Sequence, residues 1–268
     1  MEDGILRRLR AGELTLMMGL RSARTPDAVH IAASTGHQAI MVDLEHSTMS
    51  VDVAATLCTT ADILGLTAFV RVPEREYGMI GRVLDGGAHG IVAPRVDTAD
   101  EASTIARACR FAPRGQRSQT AMVPQLGMRP TPARVLNPAL DDACVVQILV
   151  ETPAGIANAD AIAAVDGVDM IAIGANDFTA ELGIPGRYDD PRFTDAVARV
   201  GRACREHGKL LMVGGVSDDA VYRSLLPLGV CPLVLTGMDS ALLYRAANAA
   251  AAAAQSCHDN ATTTTKPE

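Results

Sequence analysis

The sequence predicts an α/β chain folded as a single (β/α)8 TIM barrel, and three observations predict it. Eight short β-rich runs recur at 15–20, 39–44, 67–72, 90–96, 145–151, 170–177, 210–215 and 232–237. Most are continuous apolar stretches rather than alternating ones, the pattern of parallel strands covered on both faces. Helical patterns separate them, and that alternation over roughly 250 residues suits one closed barrel better than two domains. No G-x-G-x-x-G opens a helix after a strand, which argues against a doubly wound sheet.

The first run, TLMMGL, is followed by Thr25 as a helix N-cap with Pro26 next, the position proline tolerates best, and this helix closes at Gly36. The runs AIMVDL, TAFVRV and GIVAPRV come next, and 97–109 carries apolar residues at helical spacing. The stretch 110–140 is long and rich in Pro and Arg, so it reads as an elaborated loop at a functional face. After VVQILVE and MIAIGAND, a helix over 192–207 meets the stop His207-Gly208. The runs LLMVGG and PLVLTG complete the set. Ala241 to Ala254 then reads as a helix with Asp239 or Ser240 as its cap. The barrel domain is placed at 1–256, with a flexible tail at 257–268 that holds a Thr run.

Charge and composition exclude several classes. The chain has 24 basic and 31 acidic residues, a net charge of −7, which argues against a nucleic-acid partner. With four Phe, four Tyr and no Trp it lacks the rings of a base-stacking platform, so Ala, Val, Leu, Ile and Met must build the core. The six cysteines form no C-x-x-C and read as buried thiols in a reducing compartment. No signal-peptide pattern opens the chain, and no apolar run approaches the roughly 20 residues that span a bilayer. A cytoplasmic protein without a membrane partner is expected.

A barrel carries its chemistry at the carboxyl ends of its strands. There the sequence places Asp43, Glu45 and His46 after the second run, Arg71 after the third, Glu151 after the fifth and Asp177 after the sixth. Each has a plainer role open to it: Asp43 as a turn acceptor, Arg71 as a salt-bridge partner, His46 as a structural ring. Glu151 ends an apolar run, where an uncompensated charge is costly, so it needs a cation or a proton. With Asp177 it offers two carboxylates, which with waters suit a hard divalent ion such as Mg2+ or Mn2+. The chain has only two lysines, Lys209 and Lys266, which disfavours a Schiff-base route. Gly214-Gly215 and Thr236-Gly237 read as tight turns, with phosphate binding as the rival reading.

The motifs VDLEH (42–46), FVRVP (69–73), RVLDGGAHGIVAPRVDTADEA (82–102), FAPRGQRS (111–118), ETPAGIANADAIAAVDGVDMIAIGANDF (151–178) and HGK (207–209) occur in order. Together they resemble the HpcH/HpaI family of metal-dependent (class II) pyruvate aldolases, which act on 4-hydroxy-2-oxoheptanedioate, 2-dehydro-3-deoxyglucarate and related acids. The resemblance spans about residues 5 to 245. It implies reversible cleavage of a 4-hydroxy-2-oxoacid to pyruvate and an aldehyde through a stabilised enolate. The related alternatives are an oxaloacetate-type decarboxylase and a CoA-thioester lyase. By resemblance Glu151 and Asp177, 26 residues apart, hold the divalent ion, with Co2+ a third candidate. Arg71 meets the oxygens of pyruvate, His46 is the acid/base and Asp85 pairs with it. Asp43 and Glu45 are supporting acids, and the backbone N–H groups at Gly174 and Ala175 receive the pyruvate carboxylate.

Two positions depart from the family pattern. Leu149 stands where a Gln is usual, while Gln147 lies deeper on the same strand face, as a substrate contact; Asn176 replaces a small residue. Selectivity is expected in the loops 73–78 and 112–135. The resemblance also implies a homo-oligomer, a hexamer built as a trimer of dimers, with the C-terminal helix exchanged between subunits and neighbouring chains completing the site.

Overall fold

The computed structural model describes residues 4–216 and 218–264. Each of the eight runs contains a strand: β1 (Thr15–Leu20), β2 (Ala39–Asp43), β3 (Thr67–Arg71), β4 (Gly90–Ala93), β5 (Val145–Val150), β6 (Met170–Gly174), β7 (Leu210–Gly214) and β8 (Leu233–Met238). The strands pair in parallel in the order β7-β6-β5-β4-β3-β2-β1-β8, with helices between. At the seam, the Cys231 N–H donates to the Leu211 carbonyl at 2.7 Å and Leu211 bridges Val230, which brings β7 and β8 together in a nearly closed barrel.

Two apolar layers result. Side chains facing inward, among them Met17, Met41, Phe69, Leu149, Met170 and Met212, fill the barrel. In a chain with few rings, flexible methionine takes up the irregular interior space. Gly90 on β4 is required here, because a Cβ would lie 2.7 Å from the Phe69 ring. The short helix Ile5–Arg10 closes the N-terminal end by adding Ile5 and Leu9 to this cluster. The second layer lies between the strands and the surrounding helices. β5 shows the division: Val145 and Leu149 join the interior cluster, whereas Val146, Ile148 and Val150 join the outer one. The period of two therefore brings Gln147 and Glu151 to the inner face.

Helix starts follow side-chain chemistry. Thr98 accepts from the Glu101 N–H in a capping box that opens the helix Ala99–Ala108, and Asp190 accepts from the Arg192 N–H to open Pro191–Glu206. Thr25 does not cap its helix: that helix is Asp27–Ser34, and the Thr25 hydroxyl bonds the Asp27 carboxylate instead. The runs 90–96 and 170–177 also overreach. β4 stops at Ala93, and after Gly174 the chain turns at once into the helix Ala175–Glu181.

Two further expectations are corrected. The stretch 110–140 is not a bare loop at the functional end. It contains a 3-10 turn, Pro124–Leu126, and most of the helix Ala133–Ala143, gathered around a small core of Phe111, Val123, Leu136 and Leu140. It leaves the C-terminus of Ala99–Ala108 and returns to the start of β5, and barrel helices run antiparallel to their strands, so it sits at the end opposite the strand C-termini. The last helix is Asp239–Thr264, longer than the Ala-rich segment, and it continues through part of the tail expected from Cys257; residues 265–268 lie outside the described residues. Alanine's high helix propensity favours the segment 246–254 from which the helix continues, and 26 residues at about 1.5 Å each make the helix about 39 Å long. Among the described residues no helix is long and apolar enough to cross a membrane.

Candidate active site

The C-terminal ends of the strands enclose a cavity whose floor is apolar, with Met17, Met41, Val92, Leu149 and Met212, and whose upper wall carries Arg21, His46, Arg71, Glu151, Asn176 and Asp177.

Asp43 organises one side of it. It is the last residue of β2 and fully buried, and the strand register sets it opposite Arg71, the last residue of β3. Its Oδ1 accepts the N–H groups of Glu45 at 3.1 Å and His46 at 3.2 Å, so the turn-acceptor role is real. The same carboxylate also receives Arg71 in a two-point fork, Nε to Oδ1 at 3.0 Å and Nη2 to Oδ2 at 2.7 Å. Burial alone would raise the Asp43 pKa, but the hydrogen bond and charge of Arg71 hold it below the usual carboxylate range. Arg71 Nη1 also lies 3.2 Å from Glu45 Oε2, so two acids fix the plane of the guanidinium. Burial pushes the Glu45 carboxyl up against that pull. His46 lies at the rim with its side chain 54% exposed and its Nε2 3.7 Å from Glu45 Oε2.

Glu151 faces Arg71 from β5's end and is 6% exposed. Its Oε2 accepts the Arg95 N–H at 3.2 Å, and its carboxylate lies against the Cα of Gly174, where any Cβ would overlap it. Burial first, then the charges of Asp177 and Glu45, push its pKa up to about 7, with Arg71 opposing. Asp177 sits in the first turn of the helix that begins at Ala175. With the Asp177 charge beside it, the buried Glu151 carboxylate belongs to a donor pair that a divalent cation would relieve. Among the described residues no three His, Cys, Asp or Glu side chains stand together as a metal cluster. A cation on this pair would therefore take its remaining ligands from water and substrate oxygens. Gly174 and Ala175 line the cavity beside the pair, and N–H groups in a helix's first turn lack intrahelical acceptors.

Gln147 lies deeper, 2% exposed, with Nε2 3.3 Å from the Met212 sulfur and Oε1 without a hydrogen-bond partner among the described residues. Asp85 is not at this mouth. It ends the helix Ile80–Asp85, a few residues before β4 begins, and so lies at the opposite end of the barrel, where its Oδ1 accepts from Arg117 Nη2 at 2.7 Å. Within one chain it cannot pair with His46.

Three residues that sequence reasoning passed over belong here. Arg21 follows β1 directly and lines the cavity, in the same strand-end position that singled out Arg71. Asp239, read as a helix cap, instead accepts the backbone N–H groups of Arg21, Ser22 and Ala23. Tyr188 donates its hydroxyl to Asn176 Oδ1 at 2.5 Å. Only Arg21 carried a sequence signal, its place after a strand; Asp239 acts across more than two hundred residues, and Tyr188 folds back onto Asn176 without a local pattern that marks it.

The family model for HpcH/HpaI aldolase/citrate lyase matches residues 17–223 of this chain. The chain belongs to that family. It is 38% identical over 220 residues to a 4-hydroxy-4-methyl-2-oxoglutarate aldolase of Hapsidospora irregularis, covering 81% of this chain and 82% of that protein. It is 32% identical over 239 residues to a hydroxypyruvate/pyruvate aldolase of Pseudomonas aeruginosa, covering 89% and 87%. Among solved structures, an HpcH/HpaI aldolase from Desulfitobacterium hafniense superposes with a TM-score of 0.85 at 25% identity, covering 93% of this chain and 96% of that one. As an HpcH/HpaI chain the protein is a carbon–carbon lyase of the aldolase type.

Proposed function

We propose that this HpcH/HpaI chain is a divalent-metal-dependent aldolase that reversibly cleaves a 4-hydroxy-2-oxoacid to pyruvate and a carbonyl acceptor. One observation carries the reading: a buried carboxylate (Glu151) whose pKa is pushed up shares a cavity with Asp177 and with an arginine held in one plane by Asp43 and Glu45. Bound to Glu151 and Asp177, Mg2+, Mn2+ or Co2+ would polarise the 2-keto group and offset the charge that develops when the bond to C4 breaks. The named substrates of the two relatives are consistent with this, since both are oxoacids.

The chain's own residues do the rest. A guanidinium carries five N–H donors; Asp43 and Glu45 engage Arg71 on all three of its nitrogens, which leaves one N–H on each terminal nitrogen for the oxygens of the pyruvate half. Backbone N–H groups at Gly174 and Ala175 take the carboxylate. Gln147 Oε1, at the floor and without a partner among the described residues, can accept a hydrogen bond from substrate or water. His46, at the rim of the cavity, takes the C4 hydroxyl proton in cleavage and returns it in synthesis, as a positioned imidazole can. Its pairing with Asp85 requires a second copy of the chain, in keeping with the hexamer and exchanged C-terminal helix implied by resemblance. A cytoplasmic location completes the reading.

The test is exchange of deuterium into the pyruvate methyl group with added Mn2+, followed by a cleavage screen of 4-hydroxy-2-oxoacids coupled to pyruvate detection. Exchange and cleavage that both vanish in EDTA are expected. Full activity in EDTA overturns the metal assignment, and release of CO2 from oxaloacetate without aldol cleavage replaces the aldolase by a decarboxylase.

A further inference from the structure

We propose that Arg21 binds a carboxylate on the acceptor half of the substrate, so that the acids this enzyme cleaves are 4-hydroxy-2-oxo dicarboxylates rather than products of simple alkyl aldehydes. The inference rests on the aldolase reading of the site and assigns the part of the substrate which that reading leaves open.

Arg21 is built as a binding residue. Its backbone is held on both sides: its N–H donates to Asp239 Oδ1 at 3.1 Å, and its carbonyl accepts from Arg24 Nη1 at 3.1 Å. The Ser22 and Ala23 N–H groups go to the same Asp239 carboxylate. Its guanidinium, by contrast, makes no hydrogen bond among the described residues, although its Nε is buried. The closest carboxylate oxygen, Asp43 Oδ2, is 3.7 Å away and already accepts from Arg71 at 2.7 Å. A buried donor without an acceptor costs free energy that an arriving acceptor recovers. A planar fork with free donors in a cavity matches a carboxylate in geometry and charge.

Position supplies the substrate class. Arg21 and Arg71 approach the same Asp43 oxygen from β1 and β3, so the two guanidinium groups lie within the span of one short dicarboxylate. Arg71 is taken by the 2-oxoacid end, which leaves Arg21 for a second anionic group further along the chain. Asp43 and Glu45 beside it make the wall acidic and favour a singly charged carboxylate over a phosphate dianion. An alkyl terminus would leave the buried Nε unsatisfied, and sites built for a polar group discriminate strongly against analogues that lack it.

Calorimetry on the Mn2+-loaded protein tests this with 2-oxoglutarate and 2-oxopentanoate, which share the 2-oxoacid end and differ only in carrying a carboxylate or a methyl group at the far end. The wild type should bind 2-oxoglutarate about 10- to 100-fold more tightly, the range of a charge-assisted pair. In Arg21→Gln that preference should collapse to near unity, and Arg21→Lys should keep part of it. A residue that merely steadied Asp43 would weaken both ligands together and leave the preference unchanged, which overturns the proposal. Equal binding of the two ligands by the wild type also overturns it, even if Arg21→Gln fails to fold, while leaving the aldolase reading intact. Binding of neither ligand refutes the aldolase reading itself and the subsite with it.

Discussion

Glu151 shows how a single buried group couples metal binding, stability and pH. Its folded-state pKa of about 7 stands above the ordinary carboxylate value of 4.5. Between those values the metal-free folded state binds more protons than the unfolded chain, so the stability this group contributes is lost as pH rises through that window. Mn2+ affinity should accordingly climb as pH rises toward 7 and level off above it, which titration calorimetry across pH 5.5 to 8.5 would follow. Glu151→Gln should abolish metal binding yet raise the melting temperature of the metal-free protein at pH 8, because a neutral amide replaces a buried charge. A lower melting temperature there would show that the raised pKa has another origin. His46 is different, since it is more than half exposed and outside the carboxylate pair. His46→Ala should slow aldol cleavage about 10²- to 10⁴-fold, the range for a positioned acid/base, with Mn2+ affinity retained. Loss of metal binding would make His46 a ligand instead.

The same logic at the scale of elements centres on the ends of β2 and β3. Asp43 joins them by receiving the Arg71 fork while also holding the turn at Glu45 and His46. Asp43→Asn keeps the shape but leaves the largely buried guanidinium with Glu45 as its remaining paired acid, so the cost should stay at or below the roughly 3–5 kcal/mol of a fully broken buried pair. Urea denaturation should show a loss of that order together with weakened pyruvate binding. A variant as stable as the wild type would mean that water or Glu45 takes over the fork. The strands themselves were legible because a parallel strand buried on both faces needs a near-continuous apolar run, as in the AIMV of β2 and the MIAI of β6. The segment 110–140 was not, because its order comes from Phe111, Val123, Leu136 and Leu140 meeting across the segment rather than from any local period.

For the whole molecule, the helix Asp239–Thr264 is the feature that one chain leaves unexplained. Its first residue clamps the turn at Arg21–Ala23, whereas Leu243 and Tyr244 are 70% and 71% exposed and Ala249–Asp259 lies open to solvent. Packing against another copy would cover these side chains and make the assembly part of folding stability. Removing residues after Arg245 keeps Asp239 in place and so separates assembly from the site. Light scattering should show an oligomer for the full chain and a smaller species for the truncated one, with far-UV dichroism lowered only by the helix removed. A full-length 28.0 kDa monomer that stays active at nanomolar concentration would refute the oligomer.

The sequence by itself determined the barrel, the order of its strands and the acids, His46 and Arg71 at their ends, because burial periodicity and strand-end position are written locally. Only the tertiary structure decided which of those groups meet. Register across β2 and β3 joined Arg71 to Asp43, and helix direction carried Asp85 to the far end of the barrel. The return of the chain at Asp239, more than two hundred residues on, held the turn that presents Arg21 to the cavity, its guanidinium without a hydrogen bond among the described residues. Each of these pairings depends on the distance between residues far apart in the chain, a quantity that no local pattern encodes.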